Sequence, residues 1–352
     1  MLMRLLPACT GLCGGDIAVD LGTANTVVSA RSGELVVSEP SVVAVDACTG
    51  GQLAAGGEAL ELLGRDGVAA VRPLKDGVIV DLDGAALMLR HLLRKVRRYR
   101  RPRPSLIASV SSGATGVQRR AVAEACMAAG AREARLIAKP IAAALGSGLP
   151  VGEPTGSMVL DTGAGTSEVA MISMGSIVAS RSIVVGGDEF DQRIVAHLKR
   201  EHGVLVDTQT AERIKVQIGS ASPLVQEGQI EIVGRDRASE MLKTVRLTSQ
   251  EIRGVLERPL ARIIDATMET LARTPPELAA DVIDRGITLT GGGSLLPGLA
   301  QRLGLETAMP VQVSDHACAC TAIGSARSVG RQLTRSRPAL RPAFAVTSAL
   351  AP

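Results

Sequence analysis

Asp16-Ile-Ala-Val-Asp20-Leu-Gly-Thr-Ala-Asn-Thr26 and Ser157-Met-Val-Leu-Asp161-Thr-Gly-Ala-Gly-Thr-Ser167 are two versions of one phrase, an apolar run ending in Asp-x-Gly and small or hydroxyl residues. After each phrase the chain is strand-like again, through Val27-Val28 and Val169-Ala-Met-Ile172. The pattern predicts the tight turn of a β-hairpin and excludes the strand-to-helix turn of a Walker phosphate loop. A single Asp-x-Gly turn is ordinary loop chemistry. Two matched copies point to an internal duplication and to a shared ligand.

The ligand class follows from what such turns expose. Glycine has no Cβ, so backbone N–H groups in the loop Gly22, Thr23, Ala24, Asn25 and Thr26 can approach phosphate oxygens. The hydroxyls of Thr23 and Thr26 can add donors. Asp20 and Asp161 stand at the two strand ends, placed to hold Mg2+ through water, since that ion keeps much of its hydration shell. A third element has Ile287-Thr-Leu-Thr290 as strand and Gly291-Gly292-Gly293 as loop, with Ser294-Leu295-Leu-Pro-Gly-Leu299 opening a helix. Three successive glycines let a flat ligand lie on bare backbone.

The 352 residues suffice for about two domains, at roughly 150 residues each. With two Phe, one Tyr and no Trp the core must be aliphatic, and the stacking platforms of nucleic-acid binders are missing. Six scattered cysteines lack the spacing of a structural zinc site and read as reduced thiols. The start, Met1 to Cys9, superficially resembles a lipoprotein signal, but its apolar stretch is too short for one. No run reaches the ~18 apolar residues of a membrane-spanning helix.

Between the motifs, helical composition at Gln118 to Ala129 and Pro140 to Leu145 flanks a strand at Ala134 to Ile137. Farther on, Asp188 to Glu201, Thr208 to Gly219 and Ser249 to Thr274 read as helices, with strands at Ile230 to Val233 and Lys243 to Leu247. The alternation is that of a layered α/β protein. From Arg327 onward Arg, Pro, Ala and Ser without periodicity predict a basic, poorly ordered tail.

The order of the three glycine motifs resembles that of the actin and heat-shock chaperone ATPase superfamily. The phrases Glu39-Pro-Ser-Val-Val43, Lys75-Asp-Gly-Val78, Gly130-Ala-Arg-Glu133, Gly186-Gly-Asp-Glu-Phe190-Asp191, Glu212-Arg-Ile-Lys215 and Gly219-Ser-Ala221 look like those of the bacterial MreB and Mbl proteins. The likeness runs from about residue 15 to 326. It implies an actin-like ATPase fold, two ribonuclease-H-like lobes around a nucleotide cleft, each with a smaller inserted subdomain. Lobe I would be residues 15–150 with its insert at about 33–72, and lobe II residues 151–326 with its insert at about 187–248. A segment 1–14 would precede them and a tail 327–352 follow. The chaperone class would need a substrate-binding domain after these lobes, and the short tail does not fit one.

The same resemblance implies ATP or GTP with magnesium in the cleft. It further implies a cytoplasmic protein that forms filaments on the inner face of the membrane and works with the cell-wall synthesis machinery in setting cell shape. The phosphate contacts carry over to Thr23, Ala24 and Asn25 and to Gly163, Ala164, Gly165 and Thr166, with Ala164 in place of a usual glycine. Glu212, Arg213, Ile214 and Lys215 fall on the nucleotide-clamping helix, where Glu212 and Lys215, three apart, share a face. Gly291, Gly292, Gly293, Ser294 and Leu295 fall on the third loop.

One stretch departs from the family. At Leu136-Ile-Ala138-Lys139-Pro140 the family has Glu-Glu before Pro and uses an acidic or amide side chain to position the attacking water. Ala138 has no polar group and protonated Lys139 accepts no proton. Losing such a group typically costs about 10²- to 10⁴-fold in rate. The expected protein is therefore at most a slow ATPase, its remaining machinery being Asp20, Asp161, magnesium, Thr166 and Ser167. Lys139 either points away while another acid compensates, or contacts the γ-phosphate. A small-molecule kinase or phosphatase would need the missing carboxylate. A scaffold that copolymerises with a complete MreB paralogue without its own turnover would not.

Between Arg90 and Arg103 lie eight basic residues and no acid, namely Arg90, Arg94, Lys95, Arg97, Arg98, Arg100, Arg101 and Arg103. Such a run suggests attachment to an anionic membrane surface, at roughly 1 kcal/mol per basic residue.

Overall fold

The computed structural model describes residues 16–30, 34–96 and 103–330. In the first half, β1 (Ile17–Leu21) turns back into β2 (Asn25–Ala30), followed by β3 (Leu35–Pro40). A small sheet comes next, built from β4 (Val43–Asp46), β5 (Gln52–Ala55) and β6 (Val68–Val71), with α1 (Gly57–Leu62) between its last two strands. The hairpin of β7 (Leu74–Lys75) and β8 (Val78–Ile79) leads to α2 (Leu82–Val96). Then β9 (Ser105–Val110), α3 (Gly116–Ala128), β10 (Glu133–Ala138) and α4 (Lys139–Gly146) complete the half.

The second half repeats the plan. Its strands β11 (Ser157–Thr162), β12 (Ser167–Ser173) and β13 (Ser176–Ile183) meander antiparallel. Helix α5 (Gly187–His197) runs into a π turn at Leu198–His202, and β14 (Val204–Leu205) follows. Next come α6 (Thr208–Ile218), β15 (Gln229–Asp236), β16 (Leu242–Thr248) and α7 (Ser249–Ala272). The half ends with α8 (Pro276–Arg285), β17 (Ile287–Thr290), α9 (Leu299–Thr307), β18 (Val311–Val313) and α10 (Cys320–Arg327).

The two five-stranded sheets are equivalent strand by strand. One has the order β3-β2-β1-β9-β10 and the other β13-β12-β11-β17-β18. In each, the first three strands are antiparallel and the last two join in parallel. The duplication read from two short phrases therefore extends to whole lobes. Strands β9 and β11 are buried along their whole length, with helices on both faces, which is why they read as apolar runs without alternation.

The cores are aliphatic, as the composition requires, with Phe190 the buried aromatic at 1% exposure. Local signals set the helix ends. Thr115 and Gln118 form a reciprocal capping box at α3, and the Thr248 side chain caps α7 by accepting from Glu251 N–H. Helix α7 continues through the buried Pro259. The helix expected to open at Ser294 does not. Gly292–Leu295 is a 3₁₀ turn, and α9 begins only at Leu299 because Pro297 lacks a donor and Gly298 takes φ +79°.

Strand Leu35–Pro40, expected in the insert, pairs in the main sheet with β2. At the other end α10 crosses back to lobe I and packs on α4, β1, β2 and β9. Residues 327–330, expected in the tail, continue as packed structure, with Arg327 Nη1 donating to the carbonyls of Leu145 and Gly146 at 3.1 and 3.0 Å. Residues 1–15 and 331–352, with the readings placed on them, lie outside the described residues.

Helices α4 and α10 cross at glycines. A Cβ on Gly324 would stand 1.7 Å from Ala142 O, and one on Gly146 would stand 1.9 Å from Cys320 O. Both obstacles are helix backbone, which cannot swing aside. Gly324→Val should therefore lower stability by about 3 kcal/mol or more. A urea melt with an unchanged midpoint would contradict this.

Candidate functional site

A cleft of about 640 Å³ opens where the two lobes face each other. Hairpin turn 22–25 joins β1 to β2, and turn 163–166 joins β11 to β12, each closed by strand pairing at Leu21↔Thr26 and Thr162↔Ser167. Asp20, Gly22, Thr23, Ala24 and Asn25 line the cleft from lobe I. Asp161, Gly163, Ala164, Gly165 and Thr166 line it from lobe II. Ala164 is not among the non-glycine residues at positive φ, so its methyl is tolerated. Gly163 and Ala164 carbonyls accept from Gly187 N–H and Asp188 N–H at 3.0 and 2.9 Å, which fastens the second turn to the start of α5.

The turns are also bridged. Gly77, in the turn of the β7–β8 hairpin, donates its N–H to Thr23 Oγ1 at 3.0 Å. A Cβ on Gly165 would stand 2.7 Å from that same oxygen and 2.9 Å from Asp76 Cα. The Lys75-Asp-Gly-Val78 phrase thus stands against both turns, a placement its turn chemistry alone does not reveal.

The third loop contributes Gly291, Gly292, Gly293 and Leu295. Two of its three glycines are required by close packing on Thr162. A Cβ on Gly291 would stand 2.2 Å from Thr162 O, and one on Gly293 2.4 Å from Thr162 Cγ2, whereas at Gly292 the nearest atom is Cys318 Sγ at 3.9 Å. Glu212 and Lys215 line the cleft from one face of α6, as their spacing predicts.

Six expected residues lie off the cleft lining. Ser167 Oγ donates to Val185 O at 2.8 Å inside lobe II, because its position on β12 turns it toward the core. Ile214 is fully buried in that core, and Arg213 is exposed beside it. Ser294 is buried and donates to Gly291 O at 2.6 Å. Ala138 ends β10 and precedes α4. Thr26 is also turned inward, its hydroxyl 2.9 Å from Ser41 Oγ.

Lys139 does not point away from the cleft. Its Nζ lies 3.4 Å from Asp161 Oδ2 and close to Gly163 of the second turn, where a Cβ would come within 3.9 Å of it. Burial pulls this ammonium toward deprotonation, yet the carboxylates of Asp20, Asp161 and Glu168 outweigh burial and hold it well above the ordinary lysine range. Asp20 accepts from Ser109 Oγ, and Asp161 Oδ1 accepts from Thr290 Oγ1 at 2.8 Å. Three carboxylates thus act on one ammonium beside the second turn, with Asp161 in direct contact.

Glu168 was not among the residues read from the sequence. Its Oε2 accepts from both Ser112 N–H and Ser112 Oγ at 3.0 Å, while its buried Oε1 has no hydrogen-bond partner. Burial raises its pKa and Lys139 counters that shift. The available signal was a lone acid in the otherwise apolar and hydroxyl run of β12.

Asp191 was also missed as a site residue. Lys215 Nζ lies 3.0 Å from its carboxylate and also donates to Gly187 O at 3.2 Å. Burial pushes the Asp191 carboxyl up to about 6, with Lys215 opposing and Glu212 and Asp188 adding to the rise. The unfolded chain releases this proton near 3.8. The contribution to stability is therefore full below that value and lost as pH rises through about 6. Asp191→Asn should flatten the stability curve over this window. Urea midpoints on either side of it, equal in slope for both proteins, would contradict the assignment.

The profile of the family described as MreB/Mbl protein matches residues 14–336. The cell shape-determining protein MreB of Escherichia coli (strain K12) is 44% identical over 327 residues, covering 91% of this chain and 94% of that one. The cell shape-determining protein Mbl of Bacillus subtilis (strain 168) is 41% identical over 313 residues, covering 88% and 94%. Among solved structures, MreB5 of Spiroplasma citri bound to ADP matches with a TM-score of 0.84 at 32% identity, covering 90% of this chain and 96% of that one. A MamK double helical filament matches with a TM-score of 0.76 at 20% identity, covering 89% and 98%, a likeness of fold.

Proposed function

Because the chain belongs to the MreB/Mbl family of actin-like proteins, we propose that it binds ATP or GTP in its cleft and assembles into filaments with slow or absent nucleotide turnover. The observation that carries this reading is the pair of matched hairpin turns, one per lobe, closing on one cleft with Lys139 between their acids. Relatives support the nucleotide, since MreB5 of Spiroplasma citri is solved with ADP and with AMPPNP.

Magnesium between Asp20 and Asp161 fits poorly with the residues present. The Lys139 ammonium already lies against Asp161 and is stabilised by Asp20. A lysine where the family has a glutamate raises the local charge by two units, as much as a divalent cation supplies. The phosphates would then be neutralised by the chain itself. Backbone N–H groups of the two turns orient them, and the Thr23–Gly77 hydrogen bond holds the first turn in place. No carboxylate at 138 or 139 positions an attacking water. This favours a nucleotide-locked scaffold that co-assembles with a complete MreB paralogue.

Attachment to the inner face of the cell membrane would rest on the basic run. Two of its members are engaged within the lobe: Arg90 donates to Ala128 O at 2.8 Å, and Lys95 lies 2.6 Å from Glu39 and 3.4 Å from Glu58. Residues 97–102 lie outside the described ones. No helix among the described residues is long and apolar enough to cross a membrane. Lipid contact would therefore be electrostatic and sensitive to salt. Filaments so placed would organise cell-wall synthesis and cell shape from the cytoplasmic side.

Electron microscopy of the purified chain with ATP on anionic vesicles, paired with phosphate release, tests these statements together. Filaments with little released phosphate are expected. A chain that binds no nucleotide under any ionic condition would overturn the reading, and equal binding to neutral vesicles would overturn its membrane part.

A further inference from the structure

Outside the cleft, three side chains meet where α5 ends. His197 closes α5, His202 closes the π turn, and Glu251 stands in the first turn of α7. Both imidazole Nε2 atoms lie 2.6 Å from the same Glu251 Oε1, and the three atoms fall within 4.8 Å of one another. Backbone geometry explains the meeting. In an α-helix, residues five apart point about 140° away from each other. Here the helix widens, and Gly203 N–H bonds Leu198 O five residues back. That wider turn brings His202 round beside His197, with ring centroids 5.8 Å apart. Single π turns within helices are rare and concentrate at functional sites.

We propose that His197, His202 and Glu251 bind one transition-metal dication of the Zn2+ class. Two imidazole nitrogens and one carboxylate oxygen suit zinc, whereas magnesium and calcium take oxygen ligands. Tetrahedral bonds of about 2.1 Å set ligand atoms roughly 3.4 Å apart, so each imidazole nitrogen needs to draw back from the Glu251 oxygen by less than about 1 Å. The side chains are 15%, 26% and 26% exposed, which allows that adjustment and leaves a fourth position to water. Without metal, one glutamate oxygen serves both imidazoles. With metal, the ion ties the end of α5 to the start of α7, across the base of the small subdomain that carries β14–β16. Its effect is to hold that subdomain against lobe II. The assignment is independent of the nucleotide cleft, whose lining includes none of these residues.

The test titrates the tag-free full chain, under reducing conditions, with Zn2+ by calorimetry and with Co2+ by visible spectroscopy. Wild type should bind one equivalent, show cobalt d–d bands without a thiolate charge-transfer band, and melt at higher temperature with Zn2+. The His197→Asn/His202→Asn double variant should bind at least about 100-fold more weakly and lose the thermal shift. Glu251→Gln keeps shape and hydrogen bonding while removing the charged ligand, and it decides the question if the double variant does not fold. No binding by wild type, equal binding by the variants, or a cobalt spectrum dominated by thiolate would overturn the proposal.

Discussion

Lys139→Glu is expected to raise phosphate release from ATP by about 100-fold or more and to make nucleotide binding strictly dependent on Mg2+. The rate follows from supplying the missing proton acceptor at a position that already faces Asp161 and the second turn. The ion dependence follows from charge. A fourth carboxylate beside Asp20, Asp161 and Glu168 leaves the phosphates facing only negative side chains there unless a dication intervenes. Wild type, whose ammonium already lies among those acids, should bind nucleotide with similar affinity in Mg2+ and in EDTA. Lys139→Ala separates the two effects, since it removes the cation without adding a base. It should show Mg2+-dependent binding with turnover as slow as wild type. Single-turnover phosphate release and fluorescent-nucleotide titrations, each with and without the ion, measure all three proteins. Wild-type binding that collapses in EDTA would remove the charge argument while leaving the cleft itself intact.

Gly165→Val should weaken nucleotide binding by about 100- to 1,000-fold, or roughly 3–4 kcal/mol. The added Cβ would meet Thr23 Oγ1 at 2.7 Å, Asp76 Cα at 2.9 Å and Asp76 N at 3.1 Å. Two of these obstacles are backbone, so the second turn must retreat from lobe I, carrying its N–H groups away from the phosphates. Thr23 would also lose its alignment with Gly77 N–H. The change sits at the mouth of the cleft, away from the large hydrophobic clusters, so the thermal midpoint should fall far less than affinity does. Nucleotide affinity within about threefold of wild type would show that turn 163–166 does not hold the phosphates.

Much of the fold was legible because its signals are local. Asp-x-Gly turns, the apolar runs of β1 and β11, and the helical periodicity of α3, α6 and α7 each depend on residues a few positions apart. The errors have the same origin. Ser167 and Thr26 look like phosphate donors in the linear phrase, yet both side chains alternate toward a lobe interior, where Val185 O and Ser41 receive them. The start of α9 falls later than expected because Pro297-Gly298 interrupts the helix rather than belonging to it. Part of the basic run looked free because its partners, Glu39, Glu58 and the Ala128 carbonyl, are remote in the chain.

The sequence by itself determined that two related segments would form paired hairpin turns, and that residues 138 and 139 carry no acid. Turn geometry and residue charge are properties of short stretches, so no tertiary contact was needed to see them. Only the tertiary structure decided what Lys139 does with its charge, which carboxylates answer it, and that His197, His202 and Glu251 share one point. Electrostatic fields and ligand sets are built from side chains that chain folding alone brings together. The same lysine could have faced solvent with no change in any local signal.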